Sequence, residues 1–148
     1  MRTYLRLLLP LATFAGLLTA CGSSAGLPSV TPSVAISSPS SNSTVNLSAG
    51  KEIAIGFNTN YTIKAPGTCA GADTCGHVYV LVDNSSCNAP SLPYNTLASS
   101  SPTSANLGLC AMATGMHTII LELHHDDGTV VNTLLGTPVK TQVTITAQ

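Results

Sequence analysis

Residues 116–125, MHTIILELHH, carry the strongest β-strand pattern in the chain, because the odd-numbered positions from 119 to 123 are Ile, Leu and Leu. Alternation with period two is typical of a strand, since successive side chains point to opposite faces of a sheet. The following Asp-Asp-Gly at 126–128 favours a tight turn, because Asp-Gly readily adopts the positive φ of hairpin turns. We therefore predict a strand, a turn and a returning strand at 129–134.

The rest of the chain beyond residue 32 repeats this pattern of short β-rich segments split by turn residues. Further strands are predicted at 33–37, 44–47, 51–57, 77–83, 107–112 and 139–147, with a long polar connection at 84–106. Alternation should turn the following residues inward: Ile53, Ile55, Phe57, Val78, Val80, Val82, Ile119, Leu121 and Leu123. Seven or eight short strands without an amphipathic helix indicate an all-β fold, an antiparallel immunoglobulin-like β-sandwich spanning 33–148.

Two groups of motifs carry a family resemblance. Residues 34–57 (VAISSPSSNSTVNLSAGKEIAIGF) resemble the first two strands of many bacterial Ig-like modules. Residues 76–83 (GHVYVLVD) and 115–128 (GMHTIILELHHDDG) are similar to the central strands of small exported bacterial sandwich domains of unknown function. The resemblance implies an Ig-like or fibronectin-III-like fold and no particular activity. The absence of tryptophan argues against an antibody-like domain.

The N-terminus has the features of an export signal. Two arginines precede an apolar run at 7–18, which is shorter than the roughly 20 residues needed to span a bilayer. Leu18-Thr19-Ala20-Cys21 then resembles the lipobox of bacterial lipoproteins. That resemblance implies a signal peptide at 1–20, cleavage before Cys21 and lipid on its thiol. The alternative is an ordinary signal peptide in which Cys21 is incidental.

The residues after the signal peptide have few charges. Residues 21–32, rich in Gly, Ser and Pro, are predicted to be a flexible tether. From residue 21 onward three lysines stand against six acidic residues, which gives a net charge of −3, and no arginine remains. Nucleic acid is therefore excluded as a partner, because its binding requires clustered Lys and Arg.

Four cysteines remain when Cys21 is set aside: Cys69, Cys75, Cys87 and Cys110. An even number in an exported chain favours two disulfides, for which three pairings exist. We favour Cys69–Cys75 and Cys87–Cys110, because each would close a loop between predicted strands. A zinc site is the rival interpretation, but the spacing lacks a C-x-x-C pair.

Histidines offer the other candidate site. If strands 77–83 and 116–125 are antiparallel neighbours, His77 lies opposite His124 on the outer face, with Tyr79 opposite Glu122 on the next rung. His77, His124 and Glu122 are then candidate ligands for Zn²⁺ or Cu²⁺, and Met112 and Met116 could add soft ligands for Cu(I). The alternative is a solvated face with two ordinary histidines. His117 is expected to be a packed, hydrogen-bonded residue at the strand end.

Motifs for a nucleophile elbow, a zinc protease, a phosphate-binding loop and an EF-hand are absent from the sequence. The sequence therefore predicts a protein that is not an enzyme and needs no cofactor. We expect a lipid-anchored interaction or structural module of the cell envelope, membrane-anchored and extracytoplasmic, on the outer membrane or cell surface, whose partner is another envelope component. The alternative is an extracytoplasmic protein that binds Zn or Cu through its histidines.

Overall fold

A computed structural model describes residues 31–148. The predicted signal peptide, the lipobox with Cys21 and nearly all of the tether lie outside the described residues. The described part is all-β, as predicted, with a single short 3₁₀ helix at Leu107–Leu109. Within it, no helix has the length and apolar character required to cross a membrane.

The described part of the chain forms nine strands. They are β1 (Val34–Ser38), β2 (Ser43–Val45), β3 (Glu52–Thr59), β4 (Thr62–Ile63), β5 (Cys75–Val82), β6 (Thr96–Ala98), β7 (Thr103–Asn106), β8 (Gly115–His125) and β9 (Lys140–Ala147). The strands predicted around residues 33–37, 44–47, 51–57, 77–83, 116–125 and 139–147 are thereby confirmed to within a few residues.

The strands form two sheets. A three-stranded antiparallel sheet has the order β1-β3-β7. A six-stranded sheet has the order β2-β9-β8-β5-β4, with β6 also paired to β5, and it curls into a half-barrel. Two of its pairings, β2 with β9 and β4 with β5, are parallel, so this sheet is mixed rather than purely antiparallel.

The core lies between the inward faces of the two sheets. All nine residues predicted to point inward are buried, so the period-two reading is confirmed for β3, β5 and β8. Strand β9 adds Val143, Ile145 and Ala147 to the same cluster. Alternation thus fixes which side of each long strand faces the core.

Residues 107–112 are not the strand that was predicted. Asn106 caps the 3₁₀ helix, because its side-chain oxygen accepts a hydrogen bond of 2.9 Å from the backbone N–H of Gly108. The N–H of Leu107 donates to the carbonyl of Lys51, and the Leu107 side chain is fully buried. Capping and burial of one leucine therefore override a short apolar pattern that resembled a strand.

Two other segments also differ from prediction. The polar connection at 84–106 contains β6 and β7, whose Thr, Ser and Ala residues give little hydrophobic alternation. The turn at 126–128 is confirmed, since the Gly128 N–H bonds the His125 carbonyl. The returning segment pairs with β8 only through an isolated bridge between His124 and Val130.

The domain has two distinct ends. At the end we call the near end, β1 begins, β3 and β8 end, and the backbone amide of Ser33 donates to the side-chain oxygen of Asn60 at 2.9 Å. The Tyr61 ring, between β3 and β4, lies 6.2 Å from the His125 ring at this end. The far end carries the end of β5 and the start of β8. An eleven-residue strand is roughly 35 Å long, so β8 holds the two ends well apart.

Candidate functional site

His77 and His124 lie directly opposite each other on β5 and β8. The same register pairs Tyr79 with Glu122, so the predicted alignment is confirmed. The two imidazole rings are nearly parallel, 15° apart in orientation, with centroids separated by 5.9 Å. The histidines therefore share one face of the six-stranded sheet, on the side away from the main core.

This face is covered rather than solvated at the two histidines. His77 has 0% of its surface exposed, and His124 is also buried. The Tyr79 ring lies 3.8 Å from that of His124 and 4.4 Å from that of Tyr94. Gly128 in the turn after β8 closes over the cluster, since a Cβ at that position would lie 3.6 Å from the Tyr79 hydroxyl. The expectation of a solvated face is therefore wrong at these two histidines.

Both ring nitrogens of His124 have partners. Nδ1 lies 2.9 Å from the carbonyl oxygen of Gly128, and Nε2 lies 3.0 Å from Oε1 of Glu122. The carbonyl and the carboxylate are both hydrogen-bond acceptors, so the imidazole of His124 is held from both sides. His124 and Glu122 thus form a close polar pair within the covered face.

His77 has the opposite environment. Among the described residues, neither of its ring nitrogens has a hydrogen-bond partner. Burial lowers the pKa of His77, the nearby His124 lowers it further, and Asp126 and Asp127 partly oppose these effects. The neutral imidazole is therefore the favoured form, and it packs against Tyr79 at 5.3 Å between ring centroids.

The covered cluster is arranged for stacking and hydrogen bonding rather than for chelation. A metal ion binds in the plane of each imidazole, whereas stacked rings turn their faces toward each other. Both nitrogens of His124 are also engaged, so an ion would have to displace Glu122 or Gly128. The metal site at His77, His124 and Glu122 stays a prediction.

Met112 and Met116 do not lie near this cluster. Met116 is at the start of β8, eight positions before His124 along the strand, which is a distance of roughly 26 Å. The expectation that these methionines would join the two histidines is therefore wrong. They lie instead at the far end, beside His117.

The far end contains an open cavity of about 340 Å³. Among the residues that line it are Asp83, Cys87, Cys110, Met112, Met116 and His117. Cys87 and Cys110 form a disulfide here, and Cys69 and Cys75 form a second one before β5, so the favoured pairing is confirmed. Among the described residues, Asp83, Cys87 and Cys110 bring three potential ligand atoms within 4.8 Å, but the two sulfurs are bonded to each other.

Asp83 and His117 form a close pair in this cavity. Nδ1 of His117 lies 2.8 Å from Oδ2 of Asp83, whose other oxygen accepts from the Thr118 N–H at 2.8 Å. Asp83 has a φ of 50°, and the turn continues through Asn84 and Ser85, which also have positive φ. Asp and Asn tolerate this left-handed conformation, and here it directs the carboxylate to the start of β8.

His117 is a buried, hydrogen-bonded residue at the strand end, as predicted. The pairing with Asp83 was missed, although the confirmed register already placed Asp83 beside Thr118. Among the described residues, Nε2 of His117 is buried without a hydrogen-bond partner. The far-end cavity is therefore lined by an imidazole whose Nδ1 is held by the Asp83 carboxylate.

Comparison of the chain with protein-family models finds no match. Curated proteins and solved structures give no match either.

Proposed function

We propose that the protein is a lipid-anchored, extracytoplasmic and noncatalytic module of the cell envelope, on the outer membrane or cell surface. Lipid on Cys21 attaches it, and the domain contacts the bilayer with its near end while its far end meets an envelope partner. The observation that carries the proposal is a hairpin at the near end that exposes two consecutive leucines. The tether enters the domain at that same end.

The hairpin is a defined turn rather than a loose loop. The Gly136 N–H donates to the Thr133 carbonyl at 2.9 Å, and the Thr133 N–H donates to the Thr137 carbonyl at 2.8 Å. These bonds hold Leu134 and Leu135 at the tip, where 68% and 92% of their surfaces are exposed. Two adjacent leucines presented in this way form an apolar contact point that residues 31–148 leave uncovered.

Chain connectivity argues that the bilayer is the surface met by this tip. The hairpin lies between β8 and β9, at the near end where β1 also begins. From Cys21 to Thr31 the chain reaches at most about 35 Å, because an extended residue spans about 3.3–3.6 Å. Burial of two leucine side chains contributes about 3–6 kcal/mol, which adds to the anchor without replacing it.

The two disulfides support an extracytoplasmic setting, because such bonds persist in oxidising compartments. Two sheets packed around one core support the Ig-like assignment, while the parallel pairings of β2 and β4 are departures from it.

Metabolic labelling tests the anchor. Cys21→Ser should abolish the incorporation of radiolabelled palmitate, because the acceptor thiol is lost, whereas the neighbouring Ser23→Ala control should label like wild type. A Cys21→Ser protein that still incorporates palmitate would contradict the proposal.

Vesicle flotation tests the membrane contact separately. For this experiment, residues 1–21 are replaced by an ordinary cleavable signal peptide, so that the exported domain carries no lipid. We expect weak binding to phospholipid vesicles that is lost in Leu134→Ser/Leu135→Ser. Leu92→Ser, which removes an exposed leucine outside the hairpin, is the matched control and should float like the parent. Equal flotation of all three proteins would overturn the contact and leave the anchor untouched.

A further inference from the structure

The Cys87–Cys110 disulfide borders the open far-end cavity, and its two residues differ in exposure. Cys87 is buried, with 2% of its surface exposed, whereas Cys110 is only partly buried. Both residues of the Cys69–Cys75 disulfide are buried. A thiol that approaches from solvent therefore reaches the Cys110 sulfur first, because thiol–disulfide exchange requires access to one of the two sulfurs.

A carboxylate lies beside the same disulfide. Oδ2 of Asp83 lies 3.7 Å from Sγ of Cys87. One ligand atom each of Asp83, Cys87 and Cys110 lies within 4.8 Å of the other two. Among residues 31–148, the Cys69–Cys75 disulfide has no third metal-binding side chain at this distance. The far-end disulfide therefore differs from the other one in both access and surroundings.

Asp83 is held in place by groups other than the sulfurs. Its Oδ2 accepts from Nδ1 of His117 at 2.8 Å, and its Oδ1 accepts from the N–H of Thr118 at 2.8 Å. Carboxylates that ligate metal ions are hydrogen-bonded in this way, which orients them toward the ion. The Asp83 side chain is 32% exposed, so an ion from solvent can reach it.

We propose that reduction of the Cys87–Cys110 disulfide creates a site for one Zn²⁺ ion, bound by the sulfurs of Cys87 and Cys110 and a carboxylate oxygen of Asp83. Zinc takes cysteine sulfur and carboxylate oxygen as ligands, and three protein ligands leave its fourth tetrahedral position open to water from the cavity. In the oxidised protein the two sulfurs are bonded to each other and do not ligate the ion. Zinc binding at the far end is therefore controlled by the redox state of this disulfide.

The reductant is a dithiol present outside the cytoplasm. One of its thiolates attacks Sγ of Cys110, the Cys87–Cys110 bond breaks, and Cys87 leaves as a thiolate. The second thiolate of the dithiol then attacks the reductant's own sulfur in the mixed disulfide and releases Cys110 as a thiolate. The dithiol is oxidised to a disulfide and the protein gains two electrons. Both protons of the dithiol pass to solvent when the two cysteine thiolates bind Zn²⁺.

The local structure allows the two sulfurs to separate. In a tetrahedral zinc site two cysteine sulfurs lie about 3.8 Å apart, because each Zn–S bond is about 2.3 Å long. Cys87 lies in the turn after β5 and Cys110 directly after the 3₁₀ helix, so neither belongs to a strand. Their sulfurs can therefore move apart without breaking a sheet pairing. The site depends neither on Cys21 nor on the leucine hairpin, so its failure would leave the proposed function untouched.

Competition for Zn²⁺ tests the site on the full-length exported protein. The protein is reduced with a phosphine, freed of reductant under argon and titrated with Zn²⁺ against the coloured chelator pyridylazoresorcinol. We expect reduced wild type to hold one equivalent of Zn²⁺ that oxidised wild type does not hold. Reduced Cys87→Ser/Cys110→Ser should lose that equivalent, whereas reduced Cys69→Ser/Cys75→Ser, the matched control, should retain it.

Two further measurements identify the ligands. Asp83→Asn should weaken Zn²⁺ binding at least about tenfold, since even the loss of a group behind a ligand costs about 10–100-fold. Co²⁺ in place of Zn²⁺ should give the visible absorption of a tetrahedral ion and a sulfur-to-cobalt charge-transfer band, both absent from reduced Cys87→Ser/Cys110→Ser. A reduced wild type that holds no more Zn²⁺ than the oxidised protein, or a reduced Cys87→Ser/Cys110→Ser that binds equally, would overturn the proposal. Loss of the extra equivalent in His77→Leu would also overturn it, because it would place the ion at the near-end histidines.

Limited reduction followed by alkylation tests the access to the sulfurs. Iodoacetamide should label Cys87 and Cys110 before Cys69 and Cys75, because Cys110 is the exposed point of attack. Labelling in the reverse order would overturn the redox control of the far-end site.

Discussion

His77 and His124 face each other across β5 and β8, both buried, yet the described structure gives hydrogen-bond partners to His124 and none to His77. Two identical side chains at one rung therefore have opposite requirements. Both ring nitrogens of His124 have hydrogen-bond partners, whereas burial and the neighbouring imidazole lower the pKa of His77. This contrast determines how the domain should respond to acid.

Acidification should destabilise the domain through His77. Because its pKa is lowered in the folded state, the unfolded chain binds the extra proton once the pH falls below about 6.5. This contribution to the free energy of unfolding is therefore complete above that pH and is lost as the pH falls further. Urea unfolding at about pH 7.5 and about pH 5 measures how far the free energy of unfolding decreases on acidification. We expect a smaller decrease for His77→Phe than for wild type. The control is His125→Gln at a half-buried histidine, which should lose as much stability as wild type. If His77→Phe also lost as much as wild type, His77 would be excluded as the source of the acid sensitivity.

Gly76→Ala should unfold or strongly destabilise the domain. A Cβ at this position would overlap the backbone carbonyl oxygen of His124 on the neighbouring strand. The backbone of β8 cannot move away without breaking its hydrogen bonds with β5. We therefore expect the free energy of unfolding to fall by about 3 kcal/mol or more. Gly50→Ala is the control, because its nearest neighbour would be Ser48 Oγ at 3.8 Å. If the two variants had the same melting temperature, the close approach at Gly76 would be contradicted.

The two disulfides should contribute unequally. Cys87–Cys110 spans 23 positions of sequence and Cys69–Cys75 spans 6. By restricting the unfolded chain, the longer loop should therefore add about 3 kcal/mol to the free energy of unfolding and the shorter one about 2 kcal/mol. Denaturant unfolding of the two paired Cys→Ser variants should rank them in this order. The reverse ranking would mean that native-state contacts, rather than loop length, decide the difference.

Asn95 should be the most sensitive amide in the long connection before β7. This buried side chain donates to the carbonyls of Cys87 and Asn106, and its oxygen accepts from the Asn106 N–H at 2.8 Å. Asn95→Ala should lower stability by about 3 kcal/mol, because each buried backbone group left unpaired costs about 1–3 kcal/mol. Exposed Asn132→Ala should change the free energy of unfolding by no more than about 0.5 kcal/mol. Similar values for the two variants would show that the Asn95 bonds are replaced by water.

The longest strands were predictable because their alternation is informative. In β3, β5 and β8, only one face can be turned to the core, so burial and the β5–β8 register followed from the odd and even positions. Strands β2 and β4 have three and two residues and no measurable period. Their parallel pairing depends on long-range contacts with β9 and β5, which no local pattern encodes.

Strand alternation alone did not predict the covered histidine cluster or the Asp83–His117 pair. Alternation assigns His117 to the core face and Asp83 to the opposite face, which would keep them apart. The positive φ of Asp83 ends the alternation at that residue and brings its carboxylate around to His117. Tyr94 and the turn at Gly128 likewise pack against Tyr79 in the cluster, and tertiary packing rather than their own sequence sets the positions of these segments.

The position of β9 between β2 and β8 imposes an order on folding. A ribosome or a translocation pore releases the chain from its N-terminus, so β2 emerges some hundred residues before its partner. Until residues 140–147 appear, the edges of β2 and β8 have unpaired backbone groups and the apolar side of the half-barrel lacks Val143 and Ile145. Such high contact order makes closure slow and late. A chain crossing a membrane in the unfolded state would therefore be prevented from locking its larger sheet until the crossing is nearly complete.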